Sequence, residues 1–125
     1  MIAPLLLGIF EGKSEQEAIV ELASLFEVSV DELGIVQLLC AAHESDYNER
    51  IWVLFRNRDG SLAEVLASHC SCFGFEQQWS PKPSSIAYLC SRHFSSEVYE
   101  HRYAIMQFIE RLAQEERDAA STNHD

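Results

Sequence analysis

A chain of 125 residues, 47% hydrophobic and 23% charged, has the size and apolar content of one folded domain, which excludes global disorder. Its formal net charge of −11 at pH 7 excludes direct nucleic-acid binding by phosphate neutralisation, which needs clustered Lys and Arg, and it disfavours anionic membrane surfaces. The charge favours a protein partner with a basic surface.

The acidity is not evenly spread. Residues 1–49 hold ten acids against one base, Lys13 (−9); residues 50–93 hold three acids and five bases (+2); residues 94–125 hold seven acids and three bases (−4). The first elements therefore carry most of the charge. The stretch Met1–Phe10 is apolar, and Pro4 restricts it to an extended or short helical piece packed into the core. It lacks the basic lead-in and small-residue cleavage site of a secretory leader and is too short to span a bilayer. The expectation is a cytoplasmic protein whose four cysteines, Cys40, Cys70, Cys72 and Cys90, are reduced.

Ser14-Glu15-Gln16-Glu17 reads as a capping box, and the apolar positions Ala18, Ile19, Leu22, Leu25 and Phe26 that follow have helical spacing. Ser29-Val30-Asp31-Glu32 is a second capping box, opening a short helix that stops at Gly34. Ile35–Ala42 is a nearly unbroken apolar run that suits a buried strand or a helix. After a polar turn at Ser45–Arg50, Ile51–Phe55 reads as a strand, rich in β-branched and aromatic residues. Asn57-Arg58-Asp59-Gly60 is a hairpin turn, and Leu62–Ser68 returns as the next strand. Trp52 and Phe55, three residues apart, point to opposite faces of this sheet, so one of them either lies outside the main core as a protein contact or is covered by the last helix. Gly74 and Ser80–Pro83 mark a loop. Ser84 or Ser85 caps a helix running to Cys90 or His93, and Ser95-Ser96 caps a last, longer helix with an apolar stripe through Val98, Ile105, Ile109 and Leu112.

The expected fold is α+β: a three-stranded antiparallel meander flanked by an N-terminal helical pair and two C-terminal helices. Residues 1–118 form the domain and 119–125 a frayed polar tail. Helices packed on one face of such a sheet leave the other face, or part of the last helix, for a partner.

The most distinctive segment is Ser68-His69-Cys70-Ser71-Cys72-Phe73-Gly74-Phe75-Glu76-Gln77-Gln78-Trp79, preceded by Asp59-Gly60-Ser61-Leu62-Ala63-Glu64-Val65 and followed by Pro81. Over residues 50–93 it resembles a family of small, uncharacterised bacterial and phage proteins with the pattern Ser-His-Cys-Ser-Cys-aromatic-Gly-x-Glu-x-Gln-Trp. Ala67, Phe73 and Phe75 stand where that pattern has Gly, Tyr and Leu. The resemblance implies a local hairpin architecture and no particular chemistry.

Three readings of this segment compete. Cys70, Cys72, Cys90 and His93 could together hold a structural zinc, although the one-residue gap between Cys70 and Cys72 is short for a ligand pair. Cys70 or Cys72 could be a nucleophile activated by His69, His93 or His43, as in a thiol-dependent enzyme, yet no third orienting group stands at a recognised spacing. In the third reading the cysteines are small core residues, Glu76, Gln77 and Gln78 bind loop backbone, and Trp79 anchors the loop by burial. His43 ends the first strand ahead of Glu44 and Asp46; a histidine beside acids can serve a metal or proton transfer, but it reads as a loop histidine, while His101 and His124 read as solvated.

No phosphate loop, zinc-protease pair, nucleophile elbow or deaminase signature is present. The sequence thus points to a non-catalytic, cofactor-free acidic binding module. Its sharpest form is a phage-borne, anti-CRISPR-like inhibitor that presents acids to the basic groove of a nucleic-acid-binding defence complex. Glu15, Glu17, Glu21, Asp31 and Glu32 are its candidate contact residues.

Overall fold

The computed structural model describes residues 2–45, 48–69, 74–92 and 98–122. In chain order these form β1 (Leu5–Leu7), a 3₁₀ turn (Gly8–Phe10), α1 (Glu15–Phe26), α2 (Val30–Leu33), β2 (Gln37–Ser45), β3 (Glu49–Arg56) and β4 (Leu62–His69). There follow β5 (Lys82–Ser84), α3 (Ile86–Ser91), a second 3₁₀ turn (Tyr99–His101) and α4 (Arg102–Thr122).

The α+β class holds, but the three-stranded meander is corrected to a five-stranded mixed sheet in the order β1-β2-β3-β4-β5. The meander β2–β3–β4 is its centre. β1 adds in parallel to β2, with Leu5 opposite Cys40, and this pairing needs the crossover that α1 and α2 supply. β5 adds antiparallel to β4, with Pro83 opposite Ala63. A proline, lacking an N–H, is tolerated there because β5 is an edge strand.

Local sequence accounts for most boundaries. In the first capping box, Ser14 Oγ accepts from the Glu17 amide at 3.1 Å and Glu17 Oε1 from the Ser14 amide at 2.9 Å. Ser29 and Glu32 repeat it at 3.1 and 3.2 Å. α2 ends on Gly34 at φ 72°. The β3–β4 turn is closed by Asp59, whose Oδ1 accepts from the Ser61 amide and hydroxyl at 2.9 and 2.6 Å. Gly60 sits there at φ 86°.

Both faces of the sheet are covered, so the expectation of an open second face is corrected. The α1–α2 face buries Leu38, Ala41, Ile51, Val53, Phe55, Val65 and Ala67 against Phe10, Leu22, Phe26 and Leu33. The α3–α4 face buries Leu39, Cys40, Ala42, Trp52 and Leu54 against Leu89, Ile105, Phe108 and Ile109. An irregularity between Leu38 and Cys40 lets Leu39 and Cys40 serve the same face. Unbroken apolar runs, rather than alternation, are what burial on both faces requires. Trp52 and Phe55 do point to opposite faces, and both are fully buried.

In the described part of the loop after β4, Glu76 and Gln78 bind backbone as expected, whereas Gln77 is exposed in the left-handed conformation at φ 66°. Gln78 brackets Ser68, accepting from its amide at 3.0 Å and donating to its carbonyl at 2.8 Å. Trp79 stacks on Phe55 at 5.5 Å and donates its indole N–H to the Leu33 carbonyl at 3.2 Å, so it ties the loop to the end of α2. α3 is capped by Ser85, whose hydroxyl accepts from the Tyr88 amide at 3.1 Å. Ser95 and Ser96, the expected cap of the last helix, lie outside the described residues. α4 continues through Thr122, into the stretch set apart as a tail.

Candidate functional site

The acids expected to meet a partner lie on the α1–α2 layer, but they differ in what else they do. Glu15 is half-buried and accepts from the Leu38 amide at 2.8 Å, which satisfies a strand N–H just beyond the reach of β1. Glu17 and Glu32 close the capping boxes; serine hydrogen bonds and, to a smaller degree, Lys13 hold the Glu17 carboxyl below the usual range. Among the described residues Glu21 and Asp31 close no cap and bind no strand amide; Asp31 contributes only its charge to the first turn of α2. Glu17, Val20, Glu21, Ser24 and Glu27 follow three- and four-residue spacing along one side of α1. Val20 and Val30 stand exposed among the acids at 51% and 41%. Among the described residues none of Glu11, Glu17, Glu21, Glu27, Asp31 and Glu32 is in an ion pair. The arrangement is a field of negative charge with two apolar contacts inside it.

Sequence reasoning missed Glu27. It follows α1 in the left-handed conformation at φ 54°, its amide donating back to Ala23 and Ser24. Glycine is the usual occupant of this position because a Cβ there is strained. A carboxylate is also poorly placed beside the negative end of a helix dipole. The signal was present as a helix stop without Gly or Asn.

A second cluster sits at the far end of the sheet. Glu49 faces His69 across β3–β4, and His43 lies diagonally across β2–β3. Glu49 Oε1 bonds His43 Nε2 at 2.9 Å and Oε2 bonds His69 Nε2 at 2.5 Å, so one carboxylate holds two imidazoles. The His69 ring meets Phe75 edge-on at 4.5 Å. His43 lies in β2 near its end, as expected, but it is not a loop histidine: it is 7% exposed. Its carbonyl accepts from His101 Nε2 at 2.8 Å, so His101 is a structural ligand of the strand rather than a solvated residue. On the opposite face Glu44 accepts from the Glu100 amide at 3.0 Å and faces Arg50 at 3.7 Å. These bonds clamp β2, β3, β4 and the start of α4 together.

Bonds from His43 first, then the charge and bond of His69, hold the Glu49 carboxyl below the ordinary value. A depressed carboxylate contributes stability above its unfolded pKa and loses it as pH falls through the folded one. Glu49→Gln is therefore expected to flatten the dependence of Tm on pH between about pH 5 and 3, while the wild type declines. Equal acid limbs in the two proteins would refute this.

Of the alternative zinc set, Cys70, Cys72 and His93 lie outside the described residues, and Cys90 is exposed on α3. Among the described residues no group of three His, Cys, Asp or Glu side chains is placed to hold a metal ion. Cys40 is fully buried in the α3–α4 core, and burial pushes its thiol far up, which makes it inert as a nucleophile. Among the described residues no helix is long and apolar enough to cross a membrane. Compared with known protein families, curated proteins and solved structures, the chain matches none.

Proposed function

We propose that this chain is a non-catalytic acidic binding module, acting in the cytoplasm, whose α1–α2 layer docks onto a basic protein surface. The phage and bacterial proteins that the 68–79 segment resembles make a phage or prophage inhibitor of a nucleic-acid-binding defence complex the favoured setting. In that setting the layer stands in for the nucleic-acid backbone.

The observation that carries this reading is Glu27. At this position glycine relieves both the backbone strain and the unfavourable charge at the helix end. A residue that costs stability and adds a carboxylate to an already acidic face is what a binding surface retains. Glu27→Gly is expected to stabilise the fold by about 1 kcal/mol, a rise in Tm of a few degrees. The same change should weaken capture of the basic partner from host lysate at low salt. Glu21→Lys combined with Asp31→Asn should abolish capture with little loss of Tm, since neither residue closes a cap and the neutral change at the first turn of α2 avoids placing a cation there. A double variant that captures the same partner as the wild type would sink the proposal.

A further inference from the structure

Independently of the acidic layer, the opposite side of the molecule carries a groove between β4, β5 and α3 with a volume of about 760 Å³. Along β4 the residues facing α3–α4 are Leu62, Glu64 and Leu66, and their cover fails progressively: Leu62 is 5% exposed, Glu64 8% and Leu66 49%. Leu66, Pro83 and Tyr88 form apolar walls, and Tyr88 is 52% exposed.

Glu64 lies at the inner end. Its Oε1 accepts from the Trp52 indole at 3.0 Å and pairs with Arg92. Among the described residues neither its Oε2 nor Ser84 Oγ, both buried, has a hydrogen-bond partner. Both residues line this groove. Buried polar atoms are nearly always satisfied, so two unsatisfied ones on a single concavity need an explanation. A carboxylate oxygen only accepts, so its missing partner is a donor. Arg92 already neutralises the Glu64 charge, which makes a neutral N–H or O–H sufficient. Among the described residues the charged lining, Glu64 against Lys82 and Arg92, is net positive in a chain of net charge −11. An anionic group is therefore favoured at Lys82, which has no ion-pair partner among the described residues. The volume falls in the range of small-molecule sites, which combine apolar walls with a few convergent polar groups.

We infer that the groove binds a small organic anion with an aromatic body and an N–H or O–H donor, of the chemical class of N-acylated aromatic amino acids. A rotation of the Glu64 carboxylate brings Oε2, which has no exposed surface in the free protein, to the donor; the ring packs on Leu66 and Tyr88, and the carboxylate meets Lys82.

The test is an NMR titration of the wild-type protein with N-acetyl-L-tyrosine and N-acetyl-L-tryptophan to ~10 mM, a reach suited to weak ligands. The resonances to follow are the backbone amides of Ser84, Ser85 and Tyr88 and the indole N–H of Trp52. Both probes should shift all four. 3-Phenylpropanoate keeps the ring and carboxylate but lacks the donor, and it should bind about tenfold more weakly, the worth of one hydrogen bond to a charged acceptor. Lys82→Glu, an exposed change that leaves the core intact, should weaken the probes about fivefold. No shift at these four resonances with either probe, or equal binding of 3-phenylpropanoate, would overturn the inference. Neither outcome bears on the acidic layer.

Discussion

Replacing Arg92 by Met is expected to lower stability by about 3 kcal/mol, roughly 10 °C in Tm for a chain of this size. The Arg92 and Glu64 side chains are only 13% and 10% exposed, and they join α3 to the central sheet. Removing the guanidinium leaves a buried carboxylate whose remaining bond is the Trp52 indole. The cost is that of an unpaired buried charge, not of a lost surface contact. Adding Glu64→Gln to Arg92→Met removes that charge and keeps an oxygen for Trp52. The double variant should recover more than half of the loss. Denaturant unfolding of the four proteins in the cycle measures the coupling directly. If Arg92→Met shifts Tm no more than an exposed substitution does, the pair does not hold α3 in place.

Gly8→Ala is expected to be similarly damaging, by about 3 kcal/mol, for two separable reasons. Gly8 follows β1 at φ 70°, a conformation that costs an alanine about 1–2 kcal/mol. A Cβ there would also collide with the His43 carbonyl and come within 2.8 Å of the His43 Cβ. That carbonyl is the one His101 binds, so β1, β2 and the start of α4 cannot all keep their places. Gly12 supplies the control: its φ is 83° but nothing lies within 4 Å of an added Cβ. Gly12→Ala should lose only the conformational part, about 1 kcal/mol. Equal losses at the two positions would mean that the close approach to His43 carries no energy.

The acidic layer shows why charge reversal must be chosen by geometry. Five acids on the first two helices look alike in sequence. In the fold Glu17 and Glu32 are bent back onto their serines and Glu15 onto Leu38, so reversing any of them unsettles a helix start or a strand edge. Glu21 and Asp31 carry charge without closing a cap or binding a strand amide. The distinction between Glu15 and Glu21 is invisible in one dimension, because the Leu38 amide arrives from 23 residues away.

What a short window of sequence could settle, it did settle. Ser14, Ser29 and Ser85 open helices, Gly34 closes one and Asp59-Gly60 turns the hairpin, because each places its partner within four residues. Ile51–Phe55 and Leu62–Ser68 were legible as strands from the residues themselves, whereas the Ile35–Ala42 run suited a helix equally until its pairing with β3 decided it. The edge strands were not legible: Leu5–Leu7 is too short to show a period, and its pairing with Cys40–Ala42 exists only once two helices have folded across. Lys82-Pro83-Ser84 reads as a loop because proline forbids one side of the ladder, and only the open edge of β4 makes it a strand. The sequence by itself determined the class of fold, the starts of α1, α2 and α3 and the sign of the net charge, but not the start of α4, which begins at Arg102 after a 3₁₀ turn rather than running from the serines before Val98. Tertiary structure alone decided that both sheet faces are covered, that one glutamate holds two histidines, and which acids remain uncommitted. Those outcomes depend on contacts between residues far apart in the chain, and no local pattern encodes such distances.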